Sequence, residues 1–109
     1  MNTFNDYMEW AATTAVYPED KELEYLVNGL TSEAGEVAGK WKKIIRDYDC
    51  EVDSERALGM AKELGDVAWY LARLSEAIGW TLQDVIDLNI DKLENRKDCN
   101  TIQGEGDER

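Results

Sequence analysis

Two stretches of the chain, Glu33-Ala34-Gly35-Glu36-Val37-Ala38 and Glu63-Leu64-Gly65-Asp66-Val67-Ala68, follow one pattern: glutamate, any residue, glycine, acid, valine, alanine. On an α-helix, residues three apart lie about 60° apart around the axis and one turn apart along it, so the two acids of each stretch point one way. Two such helices packed together would enclose four carboxylates. There is no histidine in the chain and no close pair of cysteines, so the occupant suited to such a cage is a hard cation with oxygen ligands, Mg2+ or Mn2+, rather than Zn2+.

Acid spacing alone does not establish a site, because acids three apart also occur at 6/9, 19/22, 84/87 and 91/94. Context separates the two repeats from these. Glu33 falls between Leu30 and Val37 on an apolar stripe, and Glu63 stacks near Met60 and Val67. Carboxylates brought together there repel by about 3 kcal/mol per close pair at an effective dielectric near 20, so a cation or protons must compensate. Each repeat also carries a glycine, which costs about 1 kcal/mol relative to alanine inside a helix. Gly35, Gly39 and Gly65 are therefore read as points of close helix approach. The plainer alternative is a solvated acidic face on a wide amphipathic helix.

The periodicity predicts four helices. The first spans about 5–16, with Tyr7, Met8, Ala11 and Ala15 on its apolar side, and Tyr17-Pro18 ends it. The second begins near Glu19 and reaches about Arg46, with room for a break at Gly29. Its stripe is Leu23, Leu26, Val27, Leu30, Ala34, Val37, Ala38, Trp41, Ile44 and Ile45. After a loop at 47–53, Asp53 or Ser54 caps a third helix ending at Ile78, with Ala57, Leu58, Ala61, Leu64, Ala68, Leu71, Leu74 and Ile78 inward. Gly79 suits the C-terminal cap. Thr81-Leu82-Gln83-Asp84 reads as a capping box that starts a fourth helix ending near Lys97, with Val85, Ile86, Leu88, Ile90 and Leu93 inward. No segment alternates with period two for long enough to require a strand. The expected fold is all-α, an antiparallel bundle of about four helices over 1–97, with a tail at 98–109. A core of this size is marginal, which points to completion by oligomerisation.

A net charge of −12 repels a phosphate backbone, so polymeric nucleic acid is excluded as a partner. A small polyanion is not, since a bound cation reverses the local field. Cys50 and Cys99 read as free thiols of a reducing compartment, and nothing resembles a signal peptide or a membrane span, so the expectation is a cytoplasmic, soluble protein. The alternating acids Asp47, Asp49, Glu51, Asp53 and Glu55 begin like a calcium-binding EF-hand. Val52 stands where the turn glycine belongs and Leu58 where the bidentate glutamate belongs, so this is a solvated loop.

Cations are sparse, which makes their placement informative. Lys92 and Arg96 are four apart, with Asn89 one turn before Lys92 on the same side. Together they present donors suited to phosphate oxygens, or to ordinary pairing with Asp91 and Glu94. Lys62, Lys40, Lys42, Lys43 and Arg46 are further candidates near the acids. The tryptophans are core residues by default, with Trp10, Trp41 and Trp69 able to stack on a base.

These residues together resemble the MazG-like branch of the all-α nucleoside triphosphate pyrophosphohydrolases. The family signature, ExxE, a spacer and ExxD, is matched by Glu33, Glu36, Glu63 and Asp66. The likeness runs from about Leu26 to Arg109. It takes in the run from Glu63 to Leu71, Asn89-Ile90-Asp91-Lys92-Leu93 with Arg96, and the Gly104-Glu105-Gly106-Asp107-Glu108-Arg109 tail. The resemblance implies that the four acids bind Mg2+, that Lys92 and Arg96 contact the triphosphate with help from Lys62 and Asn89, and that a dimer or tetramer forms. It also implies cleavage of a nucleoside triphosphate between its α and β phosphates, giving a monophosphate and pyrophosphate. Two competing expectations are a phosphoribosyl-ATP pyrophosphohydrolase with the same fold, and a noncatalytic acidic helical module.

Overall fold

The computed structural model describes residues 1–107. Glu108 and Arg109, which end the tail of the family resemblance, lie outside the described residues. The fold is all-helical, with no strand among the described residues: α1 is Phe4–Ala12, a 3-10 turn covers Glu19–Lys21, α2 is Glu22–Asp47, α3 is Ser54–Ala77 and α4 is Leu82–Asp98.

Local chemistry sets these boundaries. Thr3 and Asp6 form a reciprocal capping box at the start of α1, each side chain accepting a hydrogen bond from the other's end of the turn. The Asp53 carboxylate accepts from the Arg56 amide to open α3, and Thr81 with Asp84 repeats the box at α4. Gly79 follows α3 at φ +87°, a conformation that favours glycine. α1 is shorter than the spacing predicts. The Thr13 and Thr14 hydroxyls hydrogen-bond back to the Trp10 and Ala11 carbonyls, and regular helix stops there.

α2 and α3 form the main pairing, with α1 laid against α3 and α4. Gly29 meets Tyr70, Lys40 meets Glu63 and Tyr48 meets Arg56. Rising numbers on one helix face falling numbers on the other, so the pair is antiparallel. Its seam has three-and-four spacing on both sides: Leu26, Leu30, Glu33, Val37, Lys40 and Ile44 on α2, and Met60, Glu63, Val67, Tyr70 and Leu74 on α3, all buried or half-buried. A second small cluster seats α1, where Met8 packs with Ala72 and Leu82, flanked by Tyr7 and Ile86.

Several expectations are corrected. α2 runs unbroken through Gly29. The apolar line read as the inner face of α3 points mostly outward, with Leu58, Leu64, Leu71 and Ile78 exposed. α3 carries two apolar faces, and the one holding Glu63 and Tyr70 is turned to α2. On α2, Leu23, Val27, Trp41 and Ile45 are exposed, and on α4 so are Leu88, Ile90 and Leu93. The glycines in and beside the repeats do not mark close approach either. A Cβ at Gly35, Gly39 or Gly65 would touch nothing within 4 Å, whereas one at Gly29 would collide with the Tyr70 ring.

Candidate active site

The antiparallel register carries Glu33 across the seam to Glu63 and Asp66. One carboxylate oxygen from each of the three lies within 4.8 Å of the others. Glu33 and Glu63 are half-buried in the seam and Asp66 is exposed at its edge. Glu36, one turn along α2, is exposed and falls outside this closest set. Its charge still reaches the group. Desolvation first, then the fields of Asp66, Glu63 and Glu36, push the Glu33 carboxyl above its ordinary value.

The compensating charge on the protein side is thin. Lys40 Nζ stands 4.0 Å from the Glu63 carboxylate, and both side chains retain solvent contact, so the pair contributes little. Three carboxylates this close, all hard oxygen donors without nitrogen or sulfur, fit a divalent cation of the Mg2+ or Mn2+ type.

The segment that builds this trio is also the segment that matches known proteins. Residues 21–100 match the model of the MazG nucleotide pyrophosphohydrolase domain. The chain belongs to that family. It is also 42% identical to the Gene 37 protein of Mycobacterium phage L5, over 94% of this chain and 96% of that one. No solved structure matches it. MazG domains are in general pyrophosphohydrolases that depend on a divalent metal, and the acidic trio lies inside the matched region.

The remaining MazG-like candidates sit apart from the trio's own contacts. Lys62 and Asn89 are exposed. Lys92 and Arg96 converge on the tail: Lys92 Nζ lies 3.3 Å from Asp107 Oδ1, and Arg96 Nη2 donates to the Asp107 carbonyl at 3.2 Å and to its carboxylate at 3.4 Å. Arg96 is only 7% exposed, and its Nε is buried without a hydrogen-bond partner among the described residues. Hydrogen bonding from Lys92 is the largest of several effects that hold the Asp107 carboxyl below its ordinary value. Both cations thus share one carboxylate, that of Asp107 rather than Asp91 or Glu94.

Sequence reading missed two phenols beside the acids. Desolvation, then Tyr25, then the Glu33 and Asp66 charges raise Tyr70 to about 12. Tyr7 is raised by desolvation and by Asp66. Tyr7 also lines a cavity of about 530 Å3 with Asn2, Thr3, Phe4, Ala68, Leu82 and Gln83, between α1 and the start of α4. Only α1 crossing back over α3 creates that neighbourhood. Apart from the aromatic content of α1, no sequence signal marks it.

Proposed function

We propose that this chain is a Mg2+-dependent nucleoside triphosphate pyrophosphohydrolase that cleaves the α–β phosphoanhydride bond. The carrying observation is the meeting of Glu33, Glu63 and Asp66 across the α2–α3 seam of a MazG domain. Glu33, Glu63 and Asp66, with Glu36 one turn away, would hold the cation, which when bound neutralises phosphate charge and raises the acidity of water. Glu36 stands outside the closest set and is the carboxylate assigned to orient the attacking water and take its proton. The water oxygen then bonds to the α-phosphorus, the bond from that phosphorus to the bridging oxygen breaks, and its electron pair leaves with pyrophosphate.

Lys92 and Arg96 would meet the triphosphate, exchanging the Asp107 carboxylate for phosphate oxygens, with Lys62 and Asn89 as further donors. The cavity beside Tyr7 offers a nucleoside an aromatic wall from Phe4 and Tyr7 and polar groups from Asn2, Thr3 and Gln83. Removal of noncanonical or excess nucleotides is the role that suits such chemistry. A second copy of the chain is proposed to complete the fold, and no polymeric nucleic acid or membrane partner is proposed. No helix among the described residues is long and apolar enough to cross a membrane.

The test is a screen of nucleoside triphosphates with Mg2+, scored for monophosphate and pyrophosphate, in the wild type and in Glu63→Gln, Asp66→Asn and Glu36→Gln. Turnover should vanish with EDTA and in each variant while the helical spectrum is kept. Equal pyrophosphate release by the wild type and Glu63→Gln would remove the enzyme reading. Activity confined to phosphoribosyl-ATP would replace it with the narrower one.

A further inference from the structure

The chain has 12 cations against 24 acids, yet three of the cations converge on one small cavity at the closed end of the α2–α3 hairpin. This cavity, about 290 Å3, is lined by Lys40, Lys43, Ile44, Tyr48, Glu55, Arg56 and Gly59. The Arg56 guanidinium lies 3.6 Å from the centre of the Tyr48 ring, and its Nη1 pairs with Glu55 at 3.0 Å. The Arg56 Nε is buried with no hydrogen-bond partner among the described residues, and the ring contact with Tyr48 orients the guanidinium at the cavity wall. Among the described lining residues Glu55 is the acid set against Lys40, Lys43 and Arg56, while Asp53 acts on Arg56 and Asp47 on Lys43 from outside the lining.

The cavity adjoins the acidic trio. Lys40 lies seven residues beyond Glu33 on α2 and Arg56 seven before Glu63 on α3, so each returns to the same helix face about 10 Å along the seam. Lys40 Nζ already reaches to 4.0 Å from Glu63 and joins the two regions. The cavity beside Tyr7 reaches Ala68, two residues along α3 from Asp66.

We propose that the Lys40–Lys43–Arg56 cavity binds the diphosphate group, both as the β,γ end of the substrate and as the pyrophosphate that leaves. This rests on the pyrophosphohydrolase reading above. A diphosphate supplies clustered oxygen acceptors that Lys40, Lys43 and the Arg56 guanidinium can share, in place of the single distant contact that Lys40 makes with Glu63. It also carries the charge that builds on the bridging oxygen as the α–β bond breaks. Lys40 then spans the reacting group, held at the trio, and the departing one. The cavity is an anion site additional to Lys92 and Arg96.

The test titrates inorganic pyrophosphate, and separately a nucleoside monophosphate, into the metal-free full-length protein by calorimetry. Wild type is compared with Lys43→Ala and Arg56→Met. Pyrophosphate should bind the wild type and weaken about tenfold or more in each variant, while the monophosphate is unaffected. Lys43 is exposed, so Lys43→Ala keeps its melting temperature and separates lost binding from lost folding. Pyrophosphate binding that is absent in the wild type, or unchanged in Lys43→Ala, overturns the inference. In that case Glu63-dependent hydrolysis by the wild type would leave the enzyme reading standing. If hydrolysis is absent and the variants still lose pyrophosphate, the anion site stands and the reaction falls.

Discussion

The Tyr70 ring lies over Gly29 and fills the volume that a Cβ at position 29 would need. That contact sets how closely α2 and α3 approach one turn from Glu33. Tyr70 also stacks edge-on with Trp69, 5.0 Å between ring centres, so the ring is not free to withdraw. Gly29→Ala gains about 1 kcal/mol of helix propensity but forces the ring or the helices apart, at a cost of roughly 1–3 kcal/mol. The expected outcome is a net loss of stability in chemical denaturation and weaker metal affinity. Gly65→Ala, with open space around it, should instead gain up to about 1 kcal/mol. A loss at Gly65 would place another chain against that face.

The Glu33 carboxyl is raised by burial and by its acidic neighbours, so in the absence of metal its ionisation opposes folding. An acid whose folded value is raised contributes stability that is fully present below its unfolded value and lost as pH rises through the folded one. Glu33→Gln should therefore melt above the wild type at neutral pH in EDTA. The difference should close as pH falls into the carboxylate range. Asp6, Asp47 and Asp107, all lowered by hydrogen bonds, act in the opposite sense and are common to both proteins. Melts across this range that stay parallel would show that Glu33 is not under the strain described.

The helix count, three of the caps and a loop before α3, the loop starting at 48 rather than 47, were legible, because Asp53, Thr81 and Gly79 act within a turn of chain and need no tertiary contact. The capping box at Thr3 and Asp6 was equally local and was passed over. The helix faces were harder to read. On α3, Leu58, Leu64, Leu71 and Ile78 make a more apolar line than Met60, Glu63, Val67 and Tyr70, and hydrophobicity alone favours the wrong one. The repeated acids pointed to the true seam, since Glu63 has to face Glu33 for the cage to exist. Gly29 could not be distinguished from Gly35 or Gly65 by sequence, because its role comes from an aromatic ring 41 positions away on another helix. The meeting of Lys40, Lys43 and Arg56 depends on the same register.

Tyr17 links the entrance of α2 to α3. Its hydroxyl donates to Glu22 at 2.8 Å and accepts from Arg73 Nη2 at 2.9 Å and Nε at 3.2 Å. Arg73 is 8% exposed and also pairs with Glu76, so a lost acceptor there is not replaced by bulk water. Tyr17→Phe keeps the stacking on Tyr25, with ring centres 5.1 Å apart, and removes only the hydroxyl. Hydrogen bonds to charged groups contribute about 1.5–3 kcal/mol, and a destabilisation of that order is expected in urea unfolding. A change within a few tenths of a kcal/mol would mean that Glu22 and Glu76 alone satisfy Arg73.

Leu71 tests whether one chain is enough. Among the described residues the buried apolar side chains are few, Met8, Ala11, Leu26, Ile44, Ala72 and Leu82, whereas Leu64, Leu71 and, at the C-cap, Ile78 recur every seven residues on the outer face of α3. Val27 and Trp41 add an outer apolar line on α2, so both helices leave large apolar side chains in water. Seven-residue recurrence is the spacing at which a helix packs along another helix. A second copy of this chain is the occupant with matching lines of its own. Sedimentation should therefore show the wild type as a dimer or tetramer and Leu71→Glu as the 12.4 kDa chain, because a carboxylate buried in that face would have no partner. The variant should also lose stability and become concentration-independent in its melting. A wild type that sediments as a single chain at micromolar concentration would leave these lines as ordinary exposed surface.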